Sequence, residues 1–189
     1  YRNQALRRYQ YFCFPSWPGG LYVTPTLAGS RPGALSAACW AALMCIGEEG
    51  YVKRARDILM TARKIAQGVR EGIPGIELQG AGQAMIVCVE GRDGVDIYEV
   101  GDRMTKRGWN LNSLQAPAGL HLCCTLRHVG KEERFLKDLR ESAAEVMAEV
   151  VVEGAKKKGD AAVYGMAERL PAGPINEMLK TYTDCVLKA

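Results

Sequence analysis

Residues 19–44, GGLYVTPTLAGSRPGALSAACWAALM, contain the clearest structural signals of this chain. Ser30 precedes the Arg-Pro-Gly turn of residues 31–33, and an alanine-rich run continues from there to Ile46. A serine N-cap, a proline in the first turn and a stop at Gly47 predict a helix. Because this helix is apolar on nearly every side, we expect it to be buried.

The sequence on either side of this helix has a different character. Six aromatic residues lie between positions 9 and 22, interleaved with prolines and glycines. This pattern excludes one long helix and predicts extended segments packed on a larger body. After the helix, apolar residues recur every three or four positions from Tyr51 to Val69, which predicts a second, amphipathic helix. Pro74 and its neighbouring glycines end that helix, and we place a domain boundary after residue 75.

Residues 76–189 predict a second and smaller unit. Apolar or alternating runs predict strands at residues 84–89, 109–114 and 120–126. Longer periodic stretches predict helices at residues 95–107, 131–152 and 175–187. This order of elements favours a small antiparallel sheet with helices on one face.

Composition narrows the function classes. A net charge of +4, with basic and acidic residues intermixed, gives no reason to expect nucleic-acid binding. The seven cysteines lie mostly in apolar runs, so we expect reduced thiols in a cytosol-facing protein. His121 alternates with leucines on a predicted strand, which favours a structural histidine over a catalytic base, and His128 is expected in a loop. Cys123 and Cys124 are adjacent and would point to opposite faces of that strand, so no metal site is predicted.

One segment, residues 29–33, could carry chemistry. A glycine and a serine stand there at a helix start, where free backbone N–H groups and the helix dipole favour an anion such as phosphate. From the residues alone, an ordinary helix cap ranks ahead of a phosphate contact at this position. The residues alone leave both interpretations open.

Several motifs in this order resemble the sphingosine-1-phosphate lyases, a family within the group II decarboxylases of fold-type-I pyridoxal-phosphate enzymes. The motifs are residues 19–33, SAACWAALM at 36–44, GEEGY at 47–51, GWNLN at 108–112, FLKDLRES at 135–142 and VYGMA at 163–167. The resemblance implies an α/β fold class. Residues 1–75 would be the C-terminal piece of the cofactor-binding large domain, with two long helices. Residues 76–189 would form a small C-terminal α+β domain with a short antiparallel sheet.

The resemblance also implies roles for four residues. Gly29 and Ser30 would reach across a homodimer interface to the phosphate of the pyridoxal 5'-phosphate bound by the other subunit. Tyr22 would line the active-site entrance. Tyr164 would approach the substrate phosphate, to which a phenol can donate a hydrogen bond without the cost of burying a cation. A packing role for Tyr164 stays open.

The Schiff-base lysine of this family follows a histidine, and these 189 residues contain no His-Lys dipeptide. We therefore assign no catalytic residue here and expect the chain alone not to turn over substrate. The intact enzyme would cleave phosphorylated sphingoid bases to a long-chain aldehyde and phosphoethanolamine. Two alternatives remain, namely part of a pyridoxal-phosphate-dependent amino-acid decarboxylase and a non-catalytic interaction domain. Attachment to the endoplasmic reticulum membrane through an upstream anchor also stays open.

Overall fold

The computed structural model describes residues 2–25, 29–82, 84–150, 163 and 171–187. The N-terminal segment forms a short helix, α1 (Gln4–Arg8), and two short strands, β1 (Phe12–Phe14) and β2 (Tyr22–Thr24). The strands pair antiparallel, with Cys13 opposite Val23. The prediction of extended segments is confirmed, and we call residues 12–24 the aromatic hairpin.

A long helix, α2 (Gly33–Arg70), follows the hairpin and is kinked at Gly47. Gly47 has φ 66° and ψ 171°, a conformation that is essentially restricted to glycine. The predicted interruption at Gly47 is therefore confirmed, although helix resumes directly after it. The predicted N-cap is wrong: Pro32 occupies that position without a side-chain hydrogen bond, because the helix begins three residues after Ser30.

The small unit is built on a four-stranded antiparallel sheet. The elements that follow α2 are β3 (Ile76–Gln79), β4 (Ile86–Gly91), α3 (Ile97–Lys106), β5 (Asn112–Leu114), β6 (Gly119–Cys123), α4 (Glu132–Val150) and α5 (Ala172–Val186). The last helix, α5, packs against α1, β1 and β2 of the N-terminal segment. The strand order is β3-β4-β6-β5, and every neighbouring pair is antiparallel. The predicted antiparallel sheet is confirmed, and β3 is a strand that the sequence analysis missed.

The core lies on one face of this sheet. Val87, Val89, Leu120 and Leu122 alternate inward along β4 and β6 and are almost fully buried. Side chains of α3, of α4 and of the second half of α2, residues 48–70 after the kink, cover them in one hydrophobic cluster. The helices therefore pack on a single face, as the order of elements predicts.

The first half of α2, residues 33–46 before the kink, was predicted to be buried, and in the structure it is exposed. Trp40 is 65% exposed, and Leu35, Leu43 and Met44 are also exposed. That prediction is wrong for this chain, because α2 packs against β3, β4 and α4 through its second half. We call the exposed side chains of residues 35–44 the apolar face of α2.

Candidate functional site

Tyr22 stands on β2 within a group of aromatic rings. Its ring meets Trp17 edge to face at a centroid distance of 5.7 Å and Phe12 at 6.2 Å. Such edge contacts fix ring orientation and contribute roughly 0.5–1.5 kcal/mol beyond area burial. Tyr22 is nevertheless 42% exposed, so its ring is held in place and remains accessible.

The connection between the two hairpin strands is held by a residue of the small unit. Gln115 follows β5, and only 8% of it is exposed. Its side-chain amide donates to the carbonyl oxygens of Pro15 (2.5 Å) and Trp17 (2.8 Å), and its backbone N–H donates to Pro18 (2.9 Å). Gly19 belongs to the same arrangement, since a Cβ there would lie 2.5 Å from the indole of Trp17.

The residues just before the aromatic hairpin are joined to α5 by ion pairs and a hydrogen bond. Asp184 of α5 is 5% exposed and accepts hydrogen bonds from Tyr11 Oη (2.8 Å), Arg7 (3.0 Å) and Arg8 (2.5 Å). Burial by itself raises the pKa of this carboxyl, but hydrogen bonds from Gln4, Tyr11 and both arginines hold the pKa well below its usual range. Asp184 is therefore a buried carboxylate that joins α5 to the N-terminal segment.

The predicted phosphate-binding residues, Gly29 and Ser30, lie on an exposed turn before α2. A Cβ built on Gly29 or on Gly33 would meet nothing within 4 Å, so the turn is open on that side. Because Pro32 is the N-cap residue, the Ser30 hydroxyl does not cap the helix. The start of α2 is exposed, so its first backbone N–H groups are accessible to an anion.

Three of the four predicted site residues lie within the described part of the chain. Tyr22 and the Gly29-Ser30 turn lie on the same N-terminal segment, separated along the chain by residues 23–28. Tyr164 lies outside the described residues. Gln115 and Asp184 were not predicted as functional, because no local pattern marks either one and their partners are about 100 and 173 residues away.

Two histidines and one cysteine of the small unit have pKa values that are shifted by their contacts within the fold. His121 lies on β6 beside Asn112 (3.3 Å), and burial lowers its pKa. His128 stacks on Trp109, and burial together with the charge of Lys131 lowers its pKa. Burial raises the pKa of the Cys124 thiol to about 11. Among the described residues there is no group of three histidine, cysteine or acidic side chains that could hold a metal ion.

Sequence comparison relates the chain to curated proteins. No family model matches it. The sphingosine-1-phosphate lyase of Arabidopsis thaliana is 43% identical over 185 residues, which are 97% of this chain and 33% of that protein. The chain thus spans about a third of the length of the curated relatives it matches.

Solved structures of related proteins are similar to this chain in fold. A sphingosine-1-phosphate lyase of Burkholderia pseudomallei has a TM-score of 0.56 and 41% identity, over 80% of this chain and 35% of that one. A glutamate decarboxylase of Lactobacillus brevis has a TM-score of 0.52 at 17% identity, over 79% of this chain and 35% of that one, which shows a shared fold alone. The predicted α/β fold class is confirmed.

Proposed function

We propose that this chain is the C-terminal part of an enzyme of the sphingosine-1-phosphate lyase family, to whose curated members it is similar over nearly its whole length. The intact enzyme would cleave phosphorylated sphingoid bases to a long-chain aldehyde and phosphoethanolamine. The observation that carries this proposal is 43% identity over 97% of the chain. The confirmed fold class supports it.

The cofactor of the proposed enzyme is pyridoxal 5'-phosphate, which supplies an electron sink when bound. We assign its phosphate to Gly29 and Ser30, contributed across a homodimer interface to the other subunit. The openness of the turn supports this, because the Ser30 hydroxyl and the amides at the start of α2 are able to donate hydrogen bonds to phosphate oxygens. These residues would hold and orient the cofactor without transferring a proton.

The substrate would meet two tyrosines of this chain. Tyr22 would line the entrance, where its exposed and oriented ring can contact an incoming sphingoid base. Tyr164 would donate a hydrogen bond to the substrate phosphate. We propose that the Schiff-base lysine lies elsewhere in the enzyme, since this chain has no His-Lys dipeptide.

The organisation of the intact protein is also a proposal. Residues 1–75 would complete the large domain, and residues 76–189 would form the small C-terminal domain. Within the described residues no helix is long and apolar enough to cross a membrane. We propose a cytosol-facing protein, and attachment to the endoplasmic reticulum membrane would then depend on an anchor elsewhere in the enzyme.

Titration of the full-length protein with pyridoxal 5'-phosphate tests the cofactor assignment. Ser30→Ala should weaken cofactor binding about 10-fold to 100-fold, because a hydrogen bond to a charged group contributes roughly 1.5–3 kcal/mol. Ser36→Ala is the matched control, since Ser36 is also exposed but lies inside α2. Equal cofactor affinity in the two variants would contradict the assignment.

An activity assay of the full-length protein separates the three candidate functions. Release of a long-chain aldehyde from a phosphorylated sphingoid base supports the lyase. Release of carbon dioxide from an amino acid, without aldehyde, favours the decarboxylase. A monomer that does not respond to pyridoxal 5'-phosphate favours the interaction domain.

A further inference from the structure

Gln115 is a buried polar side chain whose hydrogen bonds all lead to the aromatic hairpin. We propose that Gln115 is a positioning residue for the substrate, acting by fixing the hairpin connection and through it the ring of Tyr22. The proposal rests on the function proposed above, in which Tyr22 lines the entrance. Gln115 itself would not touch the substrate.

The hairpin connection has few restraints of its own. The ladder between β1 and β2 ends at Phe14 opposite Tyr22, so residues 15–21 lie beyond the paired strands. Within that connection Gly20 N–H donates to Trp17 O at 3.0 Å. The three hydrogen bonds from Gln115 reach three of the first four residues after β1, which fixes the path of the connection against the sheet.

Gln115 is itself rigidly placed. It directly follows Leu114 at the end of β5, and Leu114 O accepts a hydrogen bond from Tyr98 Oη at 2.7 Å. Tyr98 is 4% exposed within the main hydrophobic cluster. A side chain fixed to a packed core can define the position of a loop, whereas one on a mobile element cannot.

The effect reaches Tyr22 through Trp17. The Trp17 carbonyl accepts from Gln115, and the Trp17 indole contacts the Tyr22 ring. Without the amide, the Pro15 carbonyl would bind water, the Trp17 carbonyl would keep only the hydrogen bond from Gly20 N–H, and the indole could turn away. Tyr22 would then sample orientations that no longer match the substrate.

The first test measures steady-state kinetics of the full-length enzyme with a phosphorylated sphingoid base. Gln115→Met keeps the length of the side chain and removes both donors. We expect KM to rise about 5-fold to 10-fold with kcat within about 2-fold, the signature of lost binding that is equal in ground and transition states. Gln115→Glu should act at least as strongly, because a carboxylate would face two carbonyl oxygens. Gln67→Met is the control, since Gln67 is exposed on α2 and its amide bonds Glu71.

A double-mutant cycle tests whether the effect passes through Tyr22. In a Tyr22→Ala background, Gln115→Met should raise KM no further, because the ring that it positions is gone. Additive effects on KM would overturn the path through Tyr22. An unchanged KM in the single Gln115 variants would overturn the proposal as a whole.

Amide hydrogen exchange gives a readout that does not depend on activity. Residues 16–24 should exchange faster in Gln115→Met than in the parent protein and the Gln67→Met control. Unchanged exchange would overturn the anchoring role, and faster exchange with an unchanged KM would overturn the positioning role. If the parent protein lacks lyase activity, the proposed function fails, while exchange still decides whether Gln115 anchors the hairpin.

Discussion

The two halves of α2 are both rich in apolar residues, yet only one of them is buried within this chain. In the second half, Ala62, Ile65 and Val69 are almost fully buried against the sheet and α4. In the first half, Trp40 and Leu43 face outward. The apolar composition of a helix therefore predicts which residues favour burial. Whether they are buried depends on where the other helices and strands lie.

The exposed half also indicates what the chain should do in solution. Contiguous apolar surface on a folded protein marks an interaction site or a tendency to associate. We therefore expect the chain to self-associate through the apolar face of α2. In the proposed enzyme that face would be covered by the remaining two thirds of the protein or by its partner subunit.

The largest expected effect compares one truncation in each half. Ile65→Ala should lower the free energy of unfolding by about 2–5 kcal/mol, because it opens a cavity in the core. Leu43→Ala should change it by less than about 0.5 kcal/mol, as is usual for surface positions. Urea unfolding of the 189-residue chain measures both. Equal losses of unfolding free energy in the two variants would mean that the first half of α2 is as well packed as the second.

The next effect concerns the kink between the halves. Gly47→Ala should cost about 1–3 kcal/mol, because a Cβ is strained at that backbone conformation. Gly33→Ala is the control, since its Cβ would enter open space in a helical position and should be neutral or slightly stabilising. Urea unfolding compares the two variants. An unstrained Gly47→Ala variant would indicate that the halves can form one straight helix.

A smaller effect is expected on association. Leu43→Glu should weaken self-association of the 189-residue chain by at least about tenfold, which corresponds to about 1.4 kcal/mol. Met60→Glu serves as the control, because Met60 is also exposed but belongs to the half that packs on the sheet. Sedimentation equilibrium measures the association constants. A parent chain that stays monomeric at high concentration would contradict the expectation.

The smallest expected effect is a pH dependence of stability that comes from the carboxylate joining α5 to the N-terminal segment. The pKa of Asp184 is lower in the folded protein than the value of about 3.9 in an unfolded chain. Its contribution to stability is therefore complete above about pH 5 and is lost as the pH falls below 4. Asp184→Asn should reduce this loss of stability in acid, and Asp57→Asn, at a partly exposed position on α2, should not. Urea midpoints at pH 7 and pH 3 measure the difference.

Local patterns were sufficient to predict most elements of the fold. Alternation of apolar and polar residues predicted β6, and apolar residues spaced three and four apart predicted α3. Both patterns arise because one face of the element packs on a neighbouring layer. Strand β3 was missed, since its four residues are too few to show a period. The N-cap was misplaced because Ser30 has the favoured chemistry while the backbone turns into the helix only after Pro32.

The candidate site was predicted only in part. Gly29, Ser30 and Tyr22 stand within motifs that a family resemblance can identify, and their assigned roles remain predictions. Gln115 lies between the predicted strands at residues 109–114 and 120–126, and an amide in such a connection carries no sign of its partners. Its contacts lie about 100 residues away along the chain.

Neighbouring residues and short motifs were sufficient to predict most helices and strands and the family that the chain resembles. Which half of α2 is buried, and which polar side chains hold the aromatic hairpin, became known only from the folded chain, because burial and long-range hydrogen bonds arise between distant segments. Nothing in the local sequence at Gln115 or Asp184 records a partner that folding brings to it.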